Sequence, residues 1–125
     1  MNAAPCIQFG AANLTLKLNR FTITGQNDPS AGCQGTHVED ATVTLNEDGI
    51  ASINQTDEAI QGPGLVQRFR GASLFLLNSS RSRVARVRAS TNCLSGLLVS
   101  GSSDNLIESN VSVRNGTVEL PCGGV

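Results

Sequence analysis

The chain has no tryptophan and no tyrosine, and its 125 residues include four phenylalanines, one histidine and one methionine. Each shortage removes a class of function. Without a row of aromatic rings there is no stacking platform for unpaired bases, so nucleic acid is not an expected partner, and ordinary sugar stacking is disfavoured for the same reason. A multi-histidine metal site or a catalytic triad would have to be assembled around His37 alone. That residue stands beside Glu39 and Asp40 in a polar stretch, where a solvated surface histidine is the plainer reading. No serine has a GxSxG setting, and neither GxGxxG nor a Walker-type glycine loop occurs, so hydrolase and nucleotide-binding readings gain nothing. No apolar run approaches the roughly 20 residues that a membrane helix needs, and no membrane partner is expected. Residues 1–12 lack a basic segment followed by an apolar core, so no secretory leader is legible there and the sequence leaves localisation open.

Charge is also scarce, at 15% of residues, and polarity comes instead from Gly, Ser, Thr and Asn. The 39% hydrophobic content supports one modest core, so residues 1–125 are expected to form a single domain. The net charge of −1 conceals an asymmetry: residues 1–62 hold Lys17 and Arg20 against seven acids, and residues 63–125 hold seven arginines against three. Such a division suits either a polyanion-binding surface or head-to-tail association by complementary fields.

What the chain does have is a repeat. Leu74-Phe75-Leu76-Leu77-Asn78-Ser79-Ser80 matches Leu97-Leu98-Val99-Ser100-Gly101-Ser102-Ser103 at an offset of 23, and the alignment continues without a gap through Val84 on Ile107, Val87 on Asn110 and Asn92 on Asn115. Upstream, an offset of 24 puts Ile50 on Leu74, Asn54 on Asn78, Thr56 on Ser80 and Ile60 on Val84. A looser first copy places Ile7 and Leu16 ahead of Ile50 and Ile60 by 43 and 44 residues, the excess falling in an insertion near residues 25–46. Short apolar strands recurring at this period, with no 10 to 15 residue helical pattern between them, predict an all-β fold: a short right-handed parallel β-helix, a solenoid of about four coils. Alternation directs Leu74, Leu76, Leu97 and Val99 inward and leaves Phe75, Leu77, Leu98 and Ser100 outside. Gly49, Gly71, Gly96 and Gly124 recur at bends, where positive φ or close backbone approach is needed, and Asn78, Asn92, Asn110 and Asn115 suit the same bends.

The segments NLTLKLNRFTITG (13–25), GPGLVQRF (62–69) and GLLVSGSSDNLIESNVSVRNG (96–116) resemble the pectate-lyase-like right-handed β-helix repeats, over nearly the whole chain. That resemblance implies the fold. It spans polysaccharide lyases, glycoside hydrolases, epimerases and non-enzymatic adhesins, and so implies an exported or extracellular setting more than one activity. For a lyase it implies an Arg or Lys base, with acids that bind calcium or neutralise a uronate.

Arg68, Arg70, Arg81, Arg83, Arg86 and Arg88 lie on adjacent repeats and are the candidate polyanion-binding residues, since guanidinium groups pair bidentately with carboxylates or sulfates. Asp57 and Arg81 occupy equivalent positions on successive repeats, which favours a structural ion pair. Glu39, Asp40, Glu47, Asp48, Asp57 and Glu58 are the oxygen donors that calcium would need, but their spacing matches no calcium loop; no metal site and no cofactor are assigned. The four cysteines lack CxxC pairing. Cys93 and Cys122 fall at one corner of consecutive repeats, where they either form a disulfide or remain as buried thiols, and Cys6 with Cys33 is less well placed to bridge. No catalytic residue is assigned.

A short stack of this kind leaves unpaired backbone at both ends, and several outward positions are apolar. The sequence therefore predicts a non-enzymatic, self-associating scaffold or interaction module, a dimer or trimer joined through its ends or outward strands. The alternative is a carbohydrate-active protein that binds acidic polysaccharide through the arginines.

Overall fold

A computed structural model describes residues 5–25, 48–69 and 71–116 of the chain. Among these, all regular structure is β: β1 (Ile7–Gln8), β2 (Thr15–Lys17), β3 (Thr22–Thr24), β4 (Ile50–Ile53), β5 (Ala59–Gln67), β6 (Ala72–Leu77), β7 (Arg83–Ser90), β8 (Ser95–Ser100), β9 (Leu106–Glu108) and β10 (Val111–Val113). They form two sheets in which every pair is parallel. One has the order β1-β4-β6-β8; the other carries β2 and β3 end to end along β5, β5 on β7, and β9 and β10 end to end along β7. No helix among the described residues is long and apolar enough to cross a membrane.

The register repeats the sequence alignment residue for residue. Ile7, Ile50, Leu74 and Leu97 pair in succession in the first sheet. Leu16, Ile60, Val84 and Ile107 do the same in the second. Equivalent side chains thus stack about 4.8 Å apart, one strand spacing. The core is the inner side of these ladders: Ile50, Leu74, Leu76, Ile60, Val66, Val84 and Val87 are buried together with Phe9, Leu18 and Phe69. Alternation holds in the middle of the stack. It departs at Ala51, which is buried although it pairs with the half-buried Phe75, and at Val99, an interior position by register that remains 41% exposed because β8 is the outermost strand of its sheet among the described residues.

Between strands the chain turns through left-handed residues that recur at the same places in successive repeats. Asn54, Asn78 and Gly101 form one such set, Asp57, Arg81 and Asp104 a second, Arg86 and Ser109 a third, and Arg68, Thr91 and Arg114 a fourth, all with φ between 49° and 64°. Glycine is required elsewhere for a different reason. A Cβ on Gly49 would lie 2.6 Å from both the Ser73 carbonyl oxygen and Val66 Cγ1, so close backbone approach, not positive φ, excludes a side chain there.

The asparagines act through their amides. Asn105 Oδ1 accepts the Ser82 N–H at 2.8 Å while its Nδ2 donates to the Ser79 carbonyl at 3.0 Å. Asn110 binds the Val87 N–H and Val84 carbonyl (2.8 and 2.9 Å), and Asn115 the Asn92 N–H and Ala89 carbonyl (3.1 and 3.3 Å). Each side chain supplies one acceptor and one donor to backbone groups freed by a bend in the preceding repeat, groups that would otherwise be costly to bury. Asn92, fully buried, receives the Phe69 N–H at 3.0 Å and donates to Ser73 Oγ at 2.6 Å.

Candidate functional site

The arginines are distributed by the bends. Arg68, Arg81 and Arg86 occupy left-handed positions, which turns their side chains outward, whereas Arg83 and Arg88 lie on the exposed side of β7. Arg81 forms a bidentate pair with Asp57, Nε to Oδ1 at 3.1 Å and Nη2 to Oδ2 at 2.9 Å. That guanidinium, helped by the Thr56 hydroxyl, holds the Asp57 carboxyl below its ordinary value. Arg83 is bound to Glu108 through both Nε and Nη2. These two are therefore already neutralised by carboxylates of neighbouring repeats. Arg68, Arg86 and Arg88 have no carboxylate partner among the described residues, and Arg114, which the sequence reasoning passed over, shares the Arg68 bend and is likewise exposed. Arg70 lies outside the described residues. The ion pairs split the sequence-level stripe, and what remains is a sparser set around β5, β7 and β10.

Cys93 is buried and disulfide-bonded. Cys122, its expected partner, lies outside the described residues, as do Cys33, His37, Glu39, Asp40 and Glu47. Cys6 is exposed and free. Among the described residues no three His, Cys, Asp or Glu side chains gather closely enough to hold a metal ion.

Two buried acids were not distinguished by spacing: Asp48, whose Oδ1 accepts the Ala72 N–H at 2.8 Å, and Glu58. The Glu58 backbone N–H donates to Ser82 Oγ at 3.2 Å, and its Oε1 accepts the Leu14 N–H at 3.4 Å. Oε2 is buried without a partner. Burial pushes the carboxyl above its ordinary value, and Asp57 nearby adds to the shift, while the backbone N–H groups of Leu14 and Asn13 oppose it.

The other feature is the pair of outer edges. On the last one, Leu106, Val111, Val99 and Ile107 are exposed, the first two at 51% and 44%. Ile107 belongs by register to the same interior ladder as Ile60 and Val84, both 1% exposed, yet it is itself 39% exposed. On the first edge Phe21 is 72% exposed and Leu14 44%. Among the described residues, β8, β9 and β10 have strands on one side only, as do β1, β2 and β3. Strands with free N–H and C=O groups and apolar side chains on view are templates for further pairing. No protein-family model matches the chain, and neither a curated protein nor a solved structure does.

Proposed function

We propose that the chain is a short right-handed parallel β-helix that acts as a non-enzymatic, self-associating interaction module. The helix reading is supported by the 23 to 24 residue register that both sheets keep from β4 and β5 onward and by bends that recur in left-handed conformation at equivalent positions. The single observation carrying the association reading is the last edge. Interior-ladder residues Ile107 and Val99 stand exposed beside Leu106 and Val111 on strands that lack an outer neighbour among the described residues. Covering that edge would remove apolar surface from water at roughly 25 cal/mol per Å² and satisfy its backbone groups at the same time. Light scattering from micromolar to near-millimolar concentration should show the mass rising above the 13.0 kDa of one chain. A single-chain mass throughout would overturn the reading.

A second reading rests on Arg68, Arg88 and Arg114, exposed cations without carboxylate partners. The β3, β5, β7 and β10 segments beside them offer Thr22, Thr24 and Gln67 and no acid, a surface suited to an acidic polysaccharide. Binding to polyuronate that weakens with salt and with Arg88→Ala would support it. Indifference to both would remove it.

A further inference from the structure

Resting on the self-association reading, we infer that the partner of the last edge is the first edge of a second copy, seated so that both sheets continue in register across the junction. Among the described residues, the first edge presents β1 in one sheet and β2 and β3 in the other; the last presents β8 in the first sheet and β9 and β10 in the second. The two edges therefore offer the same number of strands, distributed alike. Within the chain, β2 and β9 occupy equivalent stretches of the β5–β7 pair, as do β3 and β10.

Extending the ladders by one step sets Ile7 of the second copy on Leu97, Leu16 on Ile107 and Ile23 on Ser112. Ile7, Leu16, Ile23 and Leu97 are all partly buried residues packed against the core, each with one neighbour in its ladder among the described residues, and Ile107 is the exposed end of its own ladder. The contact completes these ladders as Ile60 and Val84 complete each other inside the chain. In the same register Leu14 and Phe21, the exposed apolar residues of the first edge, fall on Asn105 and Asn110, the residues that precede Leu106 and Val111.

Charge favours the same pairing. Residues 5–25 contain Lys17 and Arg20 and no carboxylate, while the last edge, residues 95–116, carries Asp104 and Glu108 against the single cation Arg114. The register puts Lys17 of the second copy directly on Glu108, which would then be shared between Lys17 and Arg83, because Lys17 pairs with Gln61, Gln61 with Ala85, and Ala85 with Glu108. Two last edges meeting each other would instead bring Asp104 and Glu108 against their own copies. A head-to-tail contact of this kind is heterologous, and repeating it builds an open stack that grows with concentration instead of closing at a fixed dimer.

The test uses cysteine pairs on a Cys6→Ser background, since Cys6 is exposed and free. Thr15 and Leu106 are exposed and lie in one ladder, through Ala59 and Arg83. Across an in-register junction their Cα atoms would be about 4.8 Å apart, within disulfide reach. Mild oxidation of Thr15→Cys mixed with Leu106→Cys should give a disulfide joining positions 15 and 106, identified by peptide mass, and neither variant alone should give one. Oligomers that yield no such bridge, or Leu106→Cys bridging to itself, would overturn the head-to-tail contact while leaving self-association standing. A chain that stays monomeric would end both. A charge reversal gives an independent readout: Lys17→Glu should weaken association about fivefold to tenfold, the scale of a cross-strand charge pair turned repulsive, and adding Glu108→Gln should recover it, because Arg83, released from Glu108, then faces the new carboxylate. Failure of the double variant to recover, with its fold intact by circular dichroism, would also overturn the assignment.

Discussion

Glu58→Gln should stabilise the protein at neutral pH and remove one arm of its pH dependence. Glu58 stands where Ser82 and Asn105 stand in the following repeats, each accepting a backbone N–H from the repeat before it: Glu58 from Leu14, Ser82 from Glu58, Asn105 from Ser82. Asn105 has a second atom that donates to a carbonyl; Glu58 has only Oε2, buried and unpaired. Burying a carboxylate oxygen without a partner costs about 1–3 kcal/mol, and glutamine keeps the acceptor for Leu14 while removing the buried negative charge. A gain of about 1 kcal/mol at neutral pH, or about 4 °C in Tm for a domain of this size, is expected.

The pH window follows from the raised carboxyl. Below the ordinary value of 4.5 the acid is protonated in folded and unfolded chains alike, and its contribution is at its best. As pH climbs toward the raised folded value, the unfolded chain loses its proton first, so stability falls and then levels off. Among the described residues, the groups acting on the carboxyl are Asp57 on its own turn, itself bound by Arg81, and the backbone N–H groups of Asn13 and Leu14 from the preceding repeat. Thermal unfolding of both proteins from acid to neutral pH should show a Tm difference near zero at the acid end, opening as pH rises. A difference that does not change with pH, or a variant less stable at neutral pH, would refute the reasoning. Asp57 has the opposite sign: its lowered carboxyl supports the fold above its ordinary 3.8 and that support is lost as pH falls further, so the two effects occupy separate windows.

The remaining predictions concern the stack. Leu76→Ala, which empties a position 1% exposed, should cost about 2–5 kcal/mol, read from the urea midpoint. Asn110→Ala frees the Val87 N–H and Val84 carbonyl and should cost about 1–3 kcal/mol by the same measurement, with Asn110→Asp recovering only part because it keeps the acceptor alone. Gly49→Ala should cost about 1–3 kcal/mol through the clash with the Ser73 carbonyl, without the larger loss expected of a glycine held at positive φ.

The parallel pairing was legible because stacking forces like residues onto like positions. Ile50 over Leu74 and Asn54 over Asn78 are the structure's own contacts written as a sequence offset, and the Asp57–Arg81 pair came from the same alignment. The bends were harder to read. Left-handed residues there are Asp, Arg, Thr and Ser as often as Asn or Gly, so composition could not identify the arginines as bend residues. Asn105, Asn110 and Asn115 each follow the left-handed residue and work by bridging repeats, a role their spacing of five residues could have suggested. Burial of Glu58 had no sequence signal, since its neighbour Asp57 is exposed and the two look alike in the chain. The exposed edges follow from which repeats come first and last, and a count of repeats alone does not say which side chains they leave uncovered.

Small-angle X-ray scattering over a concentration series tests the central claim most directly. Continuing both sheets should lengthen the particle by roughly 20 Å per added copy, four strand spacings, at constant cross-section. Growth in cross-section, or a particle whose dimensions do not change with concentration, would contradict it.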